Sequence, residues 1–65
     1  MKIIAHTQYG TFESIEQEYT DELYDQLKEL LAKMADFKYF IFETDTGNVF
    51  LTKNMIDRSI FVIEK

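Results

Sequence analysis

A chain of 65 residues with no cysteine and one histidine has room for a single domain, spanning residues 1–65, and no disulfide or thiolate metal site to staple it. Its formal charge of −5 argues against a nucleic-acid backbone or an anionic membrane as partner, because both would repel it, and permits a basic one. No apolar run approaches the roughly 18 residues of a membrane span, and the first residues lack the apolar stretch of a secretory leader, so a cytoplasmic protein is expected.

At this size one core is barely sufficient. Ordering the chain costs roughly 1.5 kcal/mol per residue, close to what burial returns at about 25 cal/mol per Å². Self-association or dense packing must make up the difference, and ten Phe and Tyr residues supply the means for either.

Residues 2–8 alternate as a strand, with Ile3, Ala5 and Thr7 on one face and Ile4, His6 and Gln8 on the other. Tyr9-Gly10 is the expected turn and residues 11–16 the returning strand. A loop of just those two residues sets Thr7 opposite Phe12, His6 opposite Glu13 and Ile4 opposite Ile15. Ser14-Ile15-Glu16-Gln17 also has the form of a capping box, but Thr20 is the better helix start. Asp21 and Glu22 follow it at the positive end of the dipole, and Tyr19 and Tyr24 occupy the two positions of a hydrophobic staple.

Leu23, Leu27, Leu30, Leu31 and Met34 recur at helical spacing, which predicts a helix from Thr20 to about Ala35 with one apolar stripe. Glu29 and Lys33 form an i, i+4 pair along it. From Phe37 the period changes to two. Residues 37–44 and 49–53 are expected to pair as a hairpin across Asp45-Thr46-Gly47-Asn48. Residues 54–58 can close one helical turn around Met55 and Ile56, and Ser59 to Glu64 form the last strand. The order β-β-α-β-β-β predicts an α+β domain, a largely antiparallel sheet with one helix packed on one face.

With Thr46-Gly47 as the turn centre, Thr44 faces Val49, Phe42 faces Leu51 and Phe40 faces Lys53. Phe40, Phe42, Val49 and Leu51 are the consistently apolar set and are placed under the helix. The last strand contributes either Ile60 and Val62 or Phe61 and Ile63. One helix is too narrow to cover both sheet faces, so Tyr39, Ile41 and Phe50 are left on the outer side. An apolar patch of several hundred Å² there is the mark of a partner surface. A homodimer comes first among partners because it is the commonest soluble assembly, and a strand edge could serve equally well.

Other constellations are weaker. His6 opposite Glu13 could be an acid–base dyad, but no nucleophile stands at a recognisable spacing, and a surface cross-strand pair is the preferred reading. Glu43-Thr44-Asp45-Thr46-Gly47-Asn48 offers oxygen ligands without the frame of a calcium loop, so it reads as a hairpin turn. From Glu13 to Asp25 there are six carboxylates and no Lys or Arg: Glu13, Glu16, Glu18, Asp21, Glu22 and Asp25. Glu16, Glu18, Asp21 and Glu22 could dock a basic, nucleic-acid-binding target as an acidic decoy, though a solvated face is the plainer explanation. No catalytic residue, metal site or cofactor is assigned. In composition the chain is similar to small accessory proteins of bacteria and their phages, a likeness that carries no motif and no residue. The expected function is therefore a small acidic, non-enzymatic protein-interaction module that self-associates.

Overall fold

The computed structural model describes residues 1–65. Five strands, all paired antiparallel, and one main helix make a small α+β domain. Strands β1 (Lys2–Thr7), β2 (Gly10–Glu13), β3 (Tyr39–Thr44), β4 (Gly47–Thr52) and β5 (Ile60–Glu64) are joined by helices α1 (Asp21–Ala32) and α2 (Lys53–Asp57). They form two sheets rather than the single one expected: a three-stranded sheet in the order β2-β1-β5 and the β3-β4 hairpin.

Both hairpins close through the same four-residue turn, Thr7-Gln8-Tyr9-Gly10 and Thr44-Asp45-Thr46-Gly47. In each, the threonine Oγ1 donates to the glycine carbonyl, at 2.9 and 2.6 Å, and accepts from the backbone N–H two residues on. The glycines stand at φ +135° and +140°, where a side chain would be strained. Glycine therefore pairs with threonine across the ladder instead of sitting inside the loop.

The consequence is a shift of two residues from each expected register. Ala5 faces Phe12 and His6 faces Thr11 in one hairpin; Phe42 faces Val49 and Phe40 faces Leu51 in the other. A shift of two keeps every side chain on its own face.

The two sheets turn their inner sides to one another. Ala5 from β1, Phe42 and Leu51 from β3 and β4, Met34 and Ile56 form one buried cluster, with Phe12, Phe40, Val49 and Phe61 around it. Phe40 meets Phe61 edge to face, with ring centroids 6.2 Å apart, across the gap between the sheets. On β5 the inward pair is thus Phe61 and Ile63, while Ile60 and Val62 are exposed. The set Phe40, Phe42, Val49 and Leu51 faces inward as expected, but its cover comes from α2 and Met34 together with Ala5, Phe12 and Phe61 of the other sheet. The molecule is a slab with Cα extents of 31 × 26 × 15 Å.

Helix α1 starts where expected. Thr20 Oγ1 accepts from the Leu23 N–H at 3.0 Å, and the Tyr19 and Tyr24 rings meet at 6.1 Å. The helix ends three residues earlier, and Met34–Asp36 continue as a 3-10 turn that delivers Met34 to the core. No α1 side chain is wholly buried: its leucines are largely but not fully covered. The ion pair on its surface is Asp25 with Lys28, and Lys33 instead caps the last carbonyls through its N–H. Lys65 places its ammonium 4.3 Å from the Tyr24 ring centroid and 5.6 Å from that of Tyr19, tying the end of the chain to the start of α1.

Candidate protein-interaction surface

Alternation along β3 and β4 sends Tyr39, Ile41, Glu43, Asn48, Phe50 and Thr52 away from the core. Tyr39, Ile41 and Phe50 are 57%, 46% and 56% exposed, and they are contiguous. Ile41 stands directly opposite Phe50, while the Tyr39 and Phe50 rings stack 5.5 Å apart at an interplanar angle of 7°. Two aromatic faces held parallel on a strand pair cost little further entropy on docking, because the stack already restricts their rotamers. The structure brings together the three apolar residues expected to share the outer face.

The second exposed apolar pair lies elsewhere. Val62 stands opposite Ile4, and Ile60 opposite His6, on the outer side of the three-stranded sheet. They do not extend the Tyr39–Ile41–Phe50 patch, because the strands divide into two sheets whose outer sides point apart.

The acidic stretch is largely engaged within the chain. Glu13 pairs with Lys2, and their hydrogen bond is the main cause that raises the Lys2 pKa. Glu16 Oε2 accepts from the Met1 ammonium at 2.6 Å. Asp21 accepts from the Tyr19 hydroxyl at 3.0 Å, which raises the phenol's pKa, and Asp25 pairs with Lys28. Only Glu18 and Glu22 among the six are without an ion pair or a side-chain hydrogen bond. The expected docking set of Glu16, Glu18, Asp21 and Glu22 is thus half committed to local structure. No family model, curated protein or solved structure matches the chain.

The His6–Glu13 dyad is not formed. The register shift sets His6 against Thr11, with Nδ1 and Oγ1 3.1 Å apart, and carries Glu13 opposite Ile4 and toward Lys2. In the Glu43–Asn48 segment the threonine hydroxyls bond within the turn. No helix is long and apolar enough to cross a membrane.

The Met1–Glu16 contact has a pH signature. The hydrogen bond from the ammonium, followed by its charge, lowers the Glu16 pKa from its ordinary 4.5. A carboxylate with a depressed folded-state pKa contributes stability that is present above 4.5 and lost as pH falls through the lower folded value. The Glu16→Gln variant is therefore expected to have a lower urea midpoint than the parent at pH 7. The two midpoints should converge in strong acid. A gap that persists unchanged at acid pH would assign the effect to something other than this charge.

The candidate surface is polar only toward its ends, with Glu43 opposite Asn48 near the turn and Thr52 opposite Tyr39 at the other end. Its contact side chains are two rings and an isoleucine, and its single charge is Glu43. What such a surface does well is exclude water against another apolar surface.

Proposed function

We propose that this chain is a small acidic, non-enzymatic protein-interaction module that works in the cytoplasm by binding protein, first of all another copy of itself. The contact surface is the outer side of β3-β4 or the strand edge beside it. The observation that carries this reading is the contiguous exposure of Tyr39, Ile41 and Phe50 in a domain where only seven of 65 residues are buried. A core that small gains from any further apolar area removed from water, at about 25 cal/mol per Å².

The test is mass by size-exclusion chromatography with light scattering across a concentration series. The parent chain is expected to assemble at high micromolar concentration. The Ile41→Asp variant, with an unchanged circular dichroism spectrum, is expected to remain monomeric. It places a carboxylate where either docking mode would desolvate it. A parent chain that stays monomeric throughout would refute the reading.

A further inference from the structure

The backbone of β3 is only half used. Thr44 pairs with Gly47 across a two-residue loop, so the closing pair and every second pair after it, Phe42 with Val49 and Phe40 with Leu51, exchange the ladder hydrogen bonds. The N–H and C=O groups of Tyr39, Ile41 and Glu43 must then point away from β4. The Glu43 carbonyl confirms the parity, because it accepts from the Ile15 N–H at 3.0 Å on that side. Tyr39 and Ile41 have no such partner: neither appears in any backbone or side-chain hydrogen bond outside the ladder.

This free edge is unprotected. Tyr39-Phe40-Ile41-Phe42 contains no proline, glycine or charge, the devices that normally blunt an edge strand. Beside it runs a groove of about 270 Å³, lined by Phe40 and Ile41 of the strand together with Leu27, Leu30 and Ile15. Leu27 and Leu30 of α1 thus face a space beside an open edge. At its far end the edge already accepts extended chain, at Ile15.

We infer that the β3 edge pairs antiparallel with the β3 edge of a second copy about a two-fold axis at Phe40, joining two hairpins into a four-stranded sheet β4-β3-β3-β4. This rests on the self-association reading above and names its contact. The axis at Phe40 sets Tyr39 opposite the second copy's Ile41. Each of those residues has both a donor and an acceptor free, so the symmetric pairing makes four backbone hydrogen bonds. The pairing stops short of Glu43, whose carbonyl is taken. The Phe40 rings meet at the axis on the inner side, where the groove is, while Tyr39 and Ile41 merge the two outer patches.

Charge favours a second copy in this orientation. Lys38 stands at the beginning of the hairpin, where Tyr39 faces Thr52, while Glu43 and Asp45 stand at its turn. An antiparallel partner brings the lysine end of one copy toward the carboxylate end of the other. Between those ends no charge lies on β3, so two chains of net charge −5 can meet there.

Amide hydrogen exchange by NMR on the unmodified protein, at low and high concentration, reads the contact directly. Exchange at Tyr39 and Ile41 is expected to slow by about tenfold or more as the dimer forms. The outward amides of β4 (Asn48, Phe50, Thr52) and of β5 (Phe61, Ile63) should keep their rates. A synthetic chain N-methylated at Ile41, which loses one outward donor and no ladder bond, should be monomeric by light scattering. Ile60→Ser, an exposed change on the outer side of the other sheet, should stay dimeric. A dimer protected at the β4 or β5 amides instead, or one that survives N-methylation at Ile41, would overturn the edge pairing and leave self-association standing. A parent chain that never dimerises would overturn both.

Discussion

Truncating Leu51 to Ala is expected to lower the thermal midpoint by roughly 10–40 °C, enough to leave much of the protein unfolded at 37 °C. Leu51 has no exposed surface, and it is the largest side chain wholly enclosed. It lies on the inner side of β4, opposite Phe40, in the one cluster that joins both sheets to Met34 and Ile56. Removing its outer carbons costs the transfer energy plus the cavity left behind, together about 2–5 kcal/mol. The whole fold, at roughly 0.05–0.15 kcal/mol per residue, holds only a few kcal/mol in reserve. Five residues in that cluster cannot collapse to refill the space without moving the sheets together. Leu51→Met conserves volume and should cost less than about 1.5 kcal/mol. Urea titration of the two variants checks the pair. Equal midpoints would mean that the inner layer is loosely packed and that the sheets do not depend on this contact.

The position of Leu51 was readable from the sequence, but what covers it was not. Period-two alternation put Phe40, Phe42, Val49 and Leu51 on one face and Tyr39, Ile41 and Phe50 on the other, and both assignments hold in the structure. They hold even though both registers moved, because the error was two residues in each hairpin and side-chain direction repeats every two. Its cause was the glycine. A glycine beside a polar residue suggests a loop centre, whereas Gly10 and Gly47 sit three residues after a threonine whose hydroxyl bonds their carbonyl. The recurrence of Thr-x-x-Gly in both hairpins was the signal that could have fixed the register, and with it the loss of the His6–Glu13 pair.

The helix misled in a different way. Leu23, Leu27, Leu30 and Leu31 form the stripe that their spacing implies, and Thr20 caps it. A stripe shows that a helix has a side to cover; it does not say how completely. Here a second sheet, α2 and Met34 take the place assigned to α1, because β1 and β5 bring Ala5 and Phe61, and α2 brings Ile56, to the face that β3 and β4 present. That pairing of distant segments depends on long-range register, which no local pattern contains. The free edge of β3 was hidden for the same reason, since which of two alternating sets of amides points outward follows from the turn.

Placing a ring at the centre of the slab should be as damaging as emptying it. Ala5→Phe is expected to abolish cooperative unfolding or to shift its midpoint down by more than Leu51→Ala does. Ala5 is the other residue with no exposed surface, and in the β2-β1-β5 sheet it is flanked in register by Phe12 on one side and Phe61 on the other. Cβ atoms of such neighbours stand about 4.5–5.5 Å apart, so two aromatic rings already occupy the space over the methyl group. From the opposite sheet, Phe42 and Leu51 close the same cluster. Small between large is what lets three aromatic side chains and a leucine converge there. Overpacking usually costs about 1–3 kcal/mol when a methylene or two is added, and a whole ring has no rotamer that avoids all four neighbours. The sheets must separate or β1 must leave its place. Because β1 is the central strand, its displacement also frees β2 and β5. Ala5→Gly is the counterpart: it adds no bulk and loses one methyl, so it should remain folded with a modestly lower midpoint. Near-UV circular dichroism reports on the ordered rings and separates the outcomes. A folded, cooperative Ala5→Phe protein with parental aromatic signal would show that the gap between the sheets is wider than the packing of Phe12, Phe42 and Phe61 implies.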